Sequence, residues 1–476
     1  MRAHLQSIEQ LTSLLAEQRQ ATDQQGMVSE DVRRQRIQAV IDLLVDEHED
    51  LSAAMDADFG GRHPGYGLMN DVLGSLSSLK YARDHLHEWT PSQPRQVFPP
   101  YDQLGAQAWV QYQPKGTVGI MGTWNAPLFT LLSPLAGAFS AGNRAVLKPS
   151  EITPRTAEVL AKAIDARFDP LELAVITGGV DVGQGFAGQP FNHLVFTGST
   201  VVGRDIMRRA SEHLVPVTLE LGGKSPVLIS RTADIAEAAR RLAVAKGTNG
   251  GQICISPDTV YVPVELRDAF IQAFSRAFSQ LYPQVSDNPD LVCVVNDHHM
   301  QRIDACLNEA VELGAQVVRC PDVEFSLTQR KRPMSLVINP PRTSRIMREE
   351  IFGPALVVLT YSDIRHVVEE INQGERPLAL YYFGNDDAEQ TLVLSHTLSG
   401  GVTINDALMH AAMEDAPFGG VGASGMGHYH GREGFVEFSH VRTVFKAPEF
   451  DPRAEWGMLA PYHEGFTAAM KAQISR

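Results

Sequence analysis

From Gly116 onward, short apolar runs alternate with segments of helical length, and this alternation constrains the fold more than any other feature. The pattern predicts strands at 117–121, 143–147, 173–176, 193–197 and 217–220, separated by helices at 126–141, 154–167 and 199–210. Strands that alternate with helices form a parallel, doubly wound α/β sheet. Such a sheet binds ligands beyond the carboxyl ends of its strands, so the residues that follow each strand are candidates for a site.

A second α/β series follows the Gly222-Gly223 pair. It predicts helices at 267–281 and 299–313 and strands at 355–360 and 402–404. A Gly-rich stretch after Pro417 predicts a tight loop. We therefore expect one domain that ends near residue 222 and a second that ends near residue 423.

Composition and charge exclude several classes of function. A chain of 476 residues has room for two or three domains. Its net charge of −15 argues against a nucleic-acid partner, because phosphates attract basic surfaces. No apolar run reaches the roughly 18 residues of a membrane span, and the first residues lack the apolar core of a secretory signal. The four cysteines show no Cys-x-x-Cys pair, so we expect a reduced, cytoplasmic protein with free thiols.

One strand-to-helix turn suits a dinucleotide phosphate. In Phe196 to Gly203, the glycines Gly198 and Gly203 and the intervening Ser199 would let the backbone approach a phosphate at the start of a helix. The spacing is Gly-x-x-x-x-Gly, and a tight turn without a ligand explains it equally well.

A second candidate for cofactor binding follows another predicted strand. Lys148 and Glu151, with Ser150 between them, could hold an adenosine ribose by its hydroxyls. A solvated ion pair is the alternative. An acidic residue at this point tends to repel a 2′-phosphate, which favours NAD but leaves NADP possible.

Three residues could carry covalent chemistry. Cys254 follows Gly250-Gly251-Gln252, a tight backbone that could present a nucleophilic thiol, although cysteine is also a common buried apolar residue. Glu220 ends an apolar strand, where partial desolvation would suit a general base; a salt bridge with Lys224 is the alternative. Asn125 lies at a strand-to-helix turn and could donate to an oxyanion or cap the helix.

These motifs, taken in order, resemble the aldehyde dehydrogenase superfamily. The similar segments are Glu220-Leu-Gly-Gly-Lys224, Gly251-Gln-Ile-Cys254, Phe196-Thr-Gly-Ser199, Glu350-Ile-Phe-Gly-Pro354 and Pro417-Phe-Gly-Gly420. Segments 401–406, 425–431 and 56–60 are most similar to the coniferyl aldehyde dehydrogenase branch, near the dimeric class 3 enzymes. Thr123 and Ala126 depart from the family pattern around Asn125, which puts the aromatic-substrate assignment in question more than the chemistry.

The resemblance implies an NAD(P)-dependent oxidation of an aldehyde to its acid. Cys254 would attack as a thiolate, Asn125 and the Cys254 N–H would hold the oxyanion, and Glu220 would activate water to hydrolyse the thioester. It also adds Trp124, Leu221, Glu350 and Phe352 to the residues expected to bind the cofactor. The alternatives are an enzyme that transfers the acyl group to coenzyme A and a catalytically silent NAD-binding structural protein.

The family fold further implies a division of the chain and a surface for a partner subunit. Residues 1–107 and 118–222 would bind the dinucleotide, 223–423 would be catalytic, 108–117 and 424–447 would form an oligomerisation arm, and 448–476 a tail. A homodimer is expected by resemblance. No metal site is expected, since His428 and His430 have no accompanying ligands in the sequence.

Overall fold

The computed structural model describes residues 2–99, 101–326 and 329–474, which divide into two compact units. The larger unit comprises Met1–Trp89 and Pro114–Ser439, and the smaller comprises Thr90–Gln113 and His440–Arg476. No helix among the described residues is both long and apolar enough to cross a bilayer.

The first sheet of the larger unit is the predicted parallel sheet. Its strand order is His4–Leu5, Leu173–Ile176, Arg144–Lys148, Thr117–Met121, His193–Thr197, Val217–Glu220 and Gly425–Met426. All neighbours are parallel except the last pair, in which Gly425 lies opposite Glu220. The strands are almost entirely buried, as expected for a parallel sheet covered on both faces.

The second sheet of the larger unit is built from the second α/β series. Its order is Gln316–Cys320, Met334–Ile338, Ala355–Tyr361, Thr259–Pro263, Pro226–Ile229, Ala379–Phe383 and Gly401–Ile404. Only the first pair is antiparallel. Each sheet has its own core, with Val146 and Leu194 buried in the first and Val357 and Leu380 in the second.

Helices surround the two sheets of the larger unit. The α-helices are Ile8–Gln25, Glu30–Phe59, Pro64–Gly67, Gly74–Asp84, Leu86–Trp89, Phe129–Ser140, Pro154–Arg167, Val180–Ala187, Thr200–Ala210, Ile235–Gly247, Arg267–Leu281, Asp297–Glu312, Arg345–Arg348, Ile364–Gln373, Asp387–His396 and Gly431–Glu437. Leu68–Leu73 is a π-helical turn, and Ser211–His213, Thr248–Gly251, Val264–Leu266 and Met409–Ala412 are 3-10 turns.

The predicted elements agree with the structure to within three residues at each end. The largest difference is the helix predicted from Ala126, which begins at Phe129. Its first free amides, Leu128 N and Phe129 N, are bound by the carboxylate of Asp71 at 3.0 and 3.4 Å. Asp71 lies on another segment of the chain, so the start of this helix is set by a tertiary contact.

The smaller unit contains a sheet with the strand order Ser439–Lys446, Gln107–Pro114 and Gln93–Arg95, together with the helical turn Tyr101–Leu104 and the helix Phe466–Ala472. It differs in extent from the predicted arm at 108–117 and 424–447. Thr117–Met121 and Gly425–Met426 are strands of the first sheet, whereas residues from Thr90 belong to the smaller unit. The functional assignment of the domains stays a prediction.

Candidate active site

A cavity of about 1410 Å³ opens in the larger unit, where residues following the strands of the first sheet meet residues of the second α/β series. It exceeds the roughly 300–1,000 Å³ of most small-molecule sites and is large enough for a dinucleotide and a second ligand. The predicted residues that line it are Trp124, Asn125, Gly198, Ser199, Glu220, Leu221, Cys254, Glu350 and Phe352. Lys148, Ser150, Glu151 and Gly203 do not line it.

Cys254 and Glu220 lie close together in this cavity, near enough for each to shift the pKa of the other. Glu220 is only 1% exposed, and burial raises the pKa of its carboxyl to about 7. Burial and the nearby carboxylates of Glu220 and Glu350 raise the pKa of the Cys254 thiol well above its usual range. The thiol is therefore protonated at rest, and Glu220 is placed to accept its proton. The alternative salt bridge between Glu220 and Lys224 does not form, because Lys224 pairs with Asp258.

The backbone before Cys254 makes an unusual turn. Asn249, Gly250 and Gly251 all have positive φ angles of 49°, 63° and 77°. A Cβ on Gly251 would overlap the carbonyl oxygen of Gly353, so glycine is required there by both conformation and space.

Gln252 anchors this turn, a role that its sequence context does not signal. It is fully buried, and its Nε2 donates to the carbonyls of Asn249 and Cys293 at 2.9 and 3.0 Å. Its Oε1 accepts from Val295 N at 3.0 Å. Every polar atom of the side chain is thus bound to backbone, which holds the residues before Cys254 in one position.

Asn125 is tied to the same turn. Its Nδ2 donates to the carbonyl of Gln252 at 3.1 Å, and its own carbonyl accepts from Asn249 Nδ2 at 3.2 Å. It does not cap the following helix, whose first amides are bound by Asp71. An amide nitrogen carries two protons, so Asn125 retains a second N–H in the cavity that it lines.

Phe352 lies beside Trp124, and Glu350 lies beside Gly222. The rings of Trp124 and Phe352 pack edge to face, with their centroids 5.3 Å apart. The Glu350 carboxylate lies so close to Gly222 that a Cβ there would overlap it. Burial, with the charge of Asp258, raises the pKa of Glu350 to about 8.

His299 and Arg302 also line this part of the cavity and were missed from the sequence. The centroid of the His299 ring lies 5.0 Å from that of Trp124, and its Nδ1 is buried without a hydrogen-bond partner among the residues that the structure describes. Burial lowers the pKa of His299 to about 4, so the ring is neutral. Arg302 donates to the carbonyls of Glu350 and Ile351 at 3.1 and 2.5 Å and fixes that segment. The available signal in the sequence was their spacing of three residues on one predicted helix, which places both side chains on the same helix face.

The predicted phosphate turn starts a helix as expected. Ser199 is the N-cap of Thr200–Ala210, and its Oγ accepts from Val202 N at 3.4 Å. Gly203 has a packing role, because a Cβ there would lie 2.7 Å from Leu221 Cδ2. The close approach of helix and strand at Gly203 thus presents the helix start and Leu221 to the cavity.

The Lys148 segment forms its own small cluster at the end of a strand. Lys148 is buried and pairs with the half-exposed Glu151 at 3.0 Å. Ser150 Oγ accepts from Ile152 N at 3.2 Å. The pair is therefore not the solvated one that the sequence offered as an alternative, because Lys148 is buried; the role of these residues in cofactor binding stays a prediction.

The remaining cysteines and histidines add no metal centre to this site. All four cysteines are free. Across residues 2–99, 101–326 and 329–474, no group of three or more His, Cys, Asp or Glu side chains is arranged to hold a metal ion. His430 instead stacks on Phe418 at 5.5 Å.

Comparison with known proteins identifies the class. The aldehyde dehydrogenase family matches residues 2–444. A probable coniferyl aldehyde dehydrogenase of Caulobacter vibrioides is 44% identical over 98% of this chain and 97% of its own. A coniferyl aldehyde dehydrogenase of a Pseudomonas species is 42% identical with the same coverage. The substrate-bound structure of Staphylococcus aureus AldH superposes with a TM-score of 0.91 at 33% identity, covering 99% of this chain and all of that one.

Fold and relatives together define an NAD(P)-dependent oxidoreductase with a Rossmann-type cofactor fold. The chain belongs to the aldehyde dehydrogenase family and oxidises aldehydes. The predictions of family, fold and enzyme class are therefore confirmed.

Proposed function

We propose that this enzyme oxidises an aromatic aldehyde of the coniferyl type to its carboxylic acid through a thioester on Cys254. The observation that carries the proposal is the close approach of Cys254 and the buried carboxyl of Glu220, in one cavity with Asn125. The substrate class is supported by the aromatic rings of Phe129 and Phe418, which line the same cavity.

The residues of the cavity fit a nicotinamide dinucleotide. The start of the helix Thr200–Ala210 offers free amides for a phosphate, and Glu350 offers carboxyl oxygens for ribose hydroxyls. The unpartnered Nδ1 of His299 offers a further hydrogen bond beside them. When bound, the nicotinamide supplies the hydride acceptor.

The side chains of the protein carry the other steps. Glu220 accepts the thiol proton as Cys254 attacks the aldehyde carbon, and the carbon–sulfur bond forms a thiohemiacetal. The second N–H of Asn125 and the Cys254 backbone N–H hold the oxyanion. After hydride loss leaves a thioester, Glu220 gives up the thiol proton to solvent and then takes a proton from water as the water oxygen attacks the acyl carbon. The carbon–sulfur bond breaks, the acid is released, and the proton on Glu220 returns to the Cys254 thiolate.

Three finer assignments belong to the same proposal. The cofactor is NAD, with NADP possible, because an acidic side chain near the ribose, here Glu151, tends to repel a 2′-phosphate. The enzyme is a homodimer, supported by exposed Phe98, Phe445 and Trp456 in the smaller unit. It works in the cytoplasm, where its four thiols stay reduced.

A turnover assay tests the proposal against its rivals. Coniferyl aldehyde and NAD should give NADH and the corresponding carboxylic acid in the absence of coenzyme A. Cys254→Ala should abolish turnover while NAD binding persists, and Cys306→Ala, a buried cysteine that does not line this cavity, should retain it. Turnover that requires coenzyme A would establish the acyl-transferring alternative, and NAD binding without oxidation would establish the silent one.

A further inference from the structure

One carboxylate in the cavity has no role in the reaction steps of Cys254, Glu220 and Asn125. Glu414 lines the cavity and is partly buried. Ser78 Oγ donates to its Oε1 at 3.1 Å, and Ser77 also stabilises its ionised form. Burial raises the pKa of Glu414, and no basic side chain within the described parts of the chain compensates its charge. A desolvated carboxylate without a cation retains unused acceptor capacity.

An aromatic wall joins the reacting pair to the neighbourhood of Glu414; Tyr429, Phe418 and Phe129 line the cavity, and His430 packs against the last two rings. Tyr429 lies near Cys254 and Glu220, and its ring meets that of Phe418 at 5.9 Å. Phe418 stacks on His430 with the ring centroids 5.5 Å apart, and His430 contacts Phe129 edge to face with the centroids 5.8 Å apart.

The wall continues from Phe129 to Glu414 along one helix. Phe129 Cδ2 lies 3.1 Å from where a Cβ on Gly74 would be. Gly74 begins the helix Gly74–Asp84, and Ser77 and Ser78 follow it by three and four residues. Residues at that spacing are neighbours on one helix face. Glu414, which binds Ser78, therefore lies about one helical turn from the residue that Phe129 contacts.

We propose that Glu414, supported by Ser77 and Ser78, is a specificity-determining residue that accepts a hydrogen bond from a phenolic hydroxyl at the far end of the aldehyde. This inference rests on the proposed oxidation of aromatic aldehydes. The aromatic wall would hold the ring of such a substrate, and Glu414 would select its para substituent. A site built to bind a hydroxyl discriminates against an analogue that lacks the donor.

Paired substrates test this role. They are p-hydroxycinnamaldehyde and p-methoxycinnamaldehyde, which has a similar shape but no donor, and kcat/KM is measured for each. In the native enzyme the hydroxyl compound should be preferred by about tenfold or more. Glu414→Leu should remove this preference, mainly by raising KM for the hydroxyl compound. Glu414→Gln, which keeps a neutral acceptor, should retain part of it.

Asp415→Asn is the matched control. Asp415 joins the same loop to the same helix through Tyr81 Oη at 2.7 Å, but it does not line the cavity. This variant should keep the native preference, whereas a purely structural role of Glu414 would lower kcat/KM for both compounds equally in Glu414→Leu.

The outcomes separate this inference from the proposed function. Equal use of the two compounds by the native enzyme, or an unchanged preference in Glu414→Leu, would overturn the role of Glu414 while aromatic oxidation stands. The role of Glu414 would also be overturned if the native enzyme preferred an aliphatic aminoaldehyde and Glu414→Leu abolished that preference. Such a result would show that Glu414 binds a cation. Failure of the native enzyme to oxidise either cinnamaldehyde, with turnover of aliphatic aldehydes, would refute the aromatic assignment itself.

Discussion

Replacing Asn125 by alanine should separate catalysis from stability. Asn125 Nδ2 donates one hydrogen bond, to the carbonyl of Gln252 at 3.1 Å. That carbonyl keeps a second donor, Asn249 Nδ2 at 3.0 Å, so the substitution leaves no buried acceptor unpaired. The free energy of unfolding should fall by only about 1 kcal/mol. Loss of an oxyanion donor costs about 3 kcal/mol of barrier, so kcat should fall by about 100- to 1,000-fold.

The assay is kcat at saturating aldehyde and NAD, with thermal unfolding measured on the same preparations. Both the attack of Cys254 and the hydrolysis of the thioester pass through an oxyanion, so the loss should appear whichever step limits turnover. A kcat within about threefold of the native value would refute the oxyanion role. A fall in kcat with a loss of stability above about 3 kcal/mol would assign Asn125 to support of the turn instead.

The other predictions concern the base and the cofactor. Because burial raises the pKa of Glu220 to about 7, a larger share of it is protonated as pH falls through that value; kcat should decline below about 7 and level off above it, and a pH-independent kcat would exclude this base. Gly222→Ala should displace the Glu350 carboxylate and weaken NAD binding by about 10- to 100-fold in a titration, with aldehyde chemistry otherwise intact. Lys148→Ala and Glu350→Gln should each weaken NAD binding, and unchanged affinity would contradict their assignment.

Local pattern was sufficient to predict five of the seven strands of the first sheet, two of the seven strands of the second, and several residues that meet in the cavity. Buried parallel strands are short apolar runs in the sequence, and Thr117–Met121 and Val217–Glu220 could be recognised as strands for that reason. Their carboxyl ends meet at one edge, so Glu220 and the turn with Asn125 converge in one cavity.

The sequence did not reveal contacts between distant segments. Asp71 starts the helix at Phe129 from a separate segment, and Gln252 binds the backbone at Cys293 and Val295. Neither residue type signals such a partner locally, since Asp and Gln are ordinary surface residues. The raised pKa of the Cys254 thiol could not be predicted from the sequence either, because it depends on burial beside Glu220.

The most direct test of the thioester mechanism is intact-mass spectrometry of Glu220→Gln after mixing with coniferyl aldehyde and NAD. Removing the carboxylate eliminates a charge that raises the pKa of the Cys254 thiol, so acylation should proceed at mildly alkaline pH while hydrolysis slows. The predicted result is one acyl group per chain, located on Cys254 by peptide mapping and absent from Cys254→Ala. An unmodified protein that still produces NADH, or an acyl group on another residue, would contradict the mechanism.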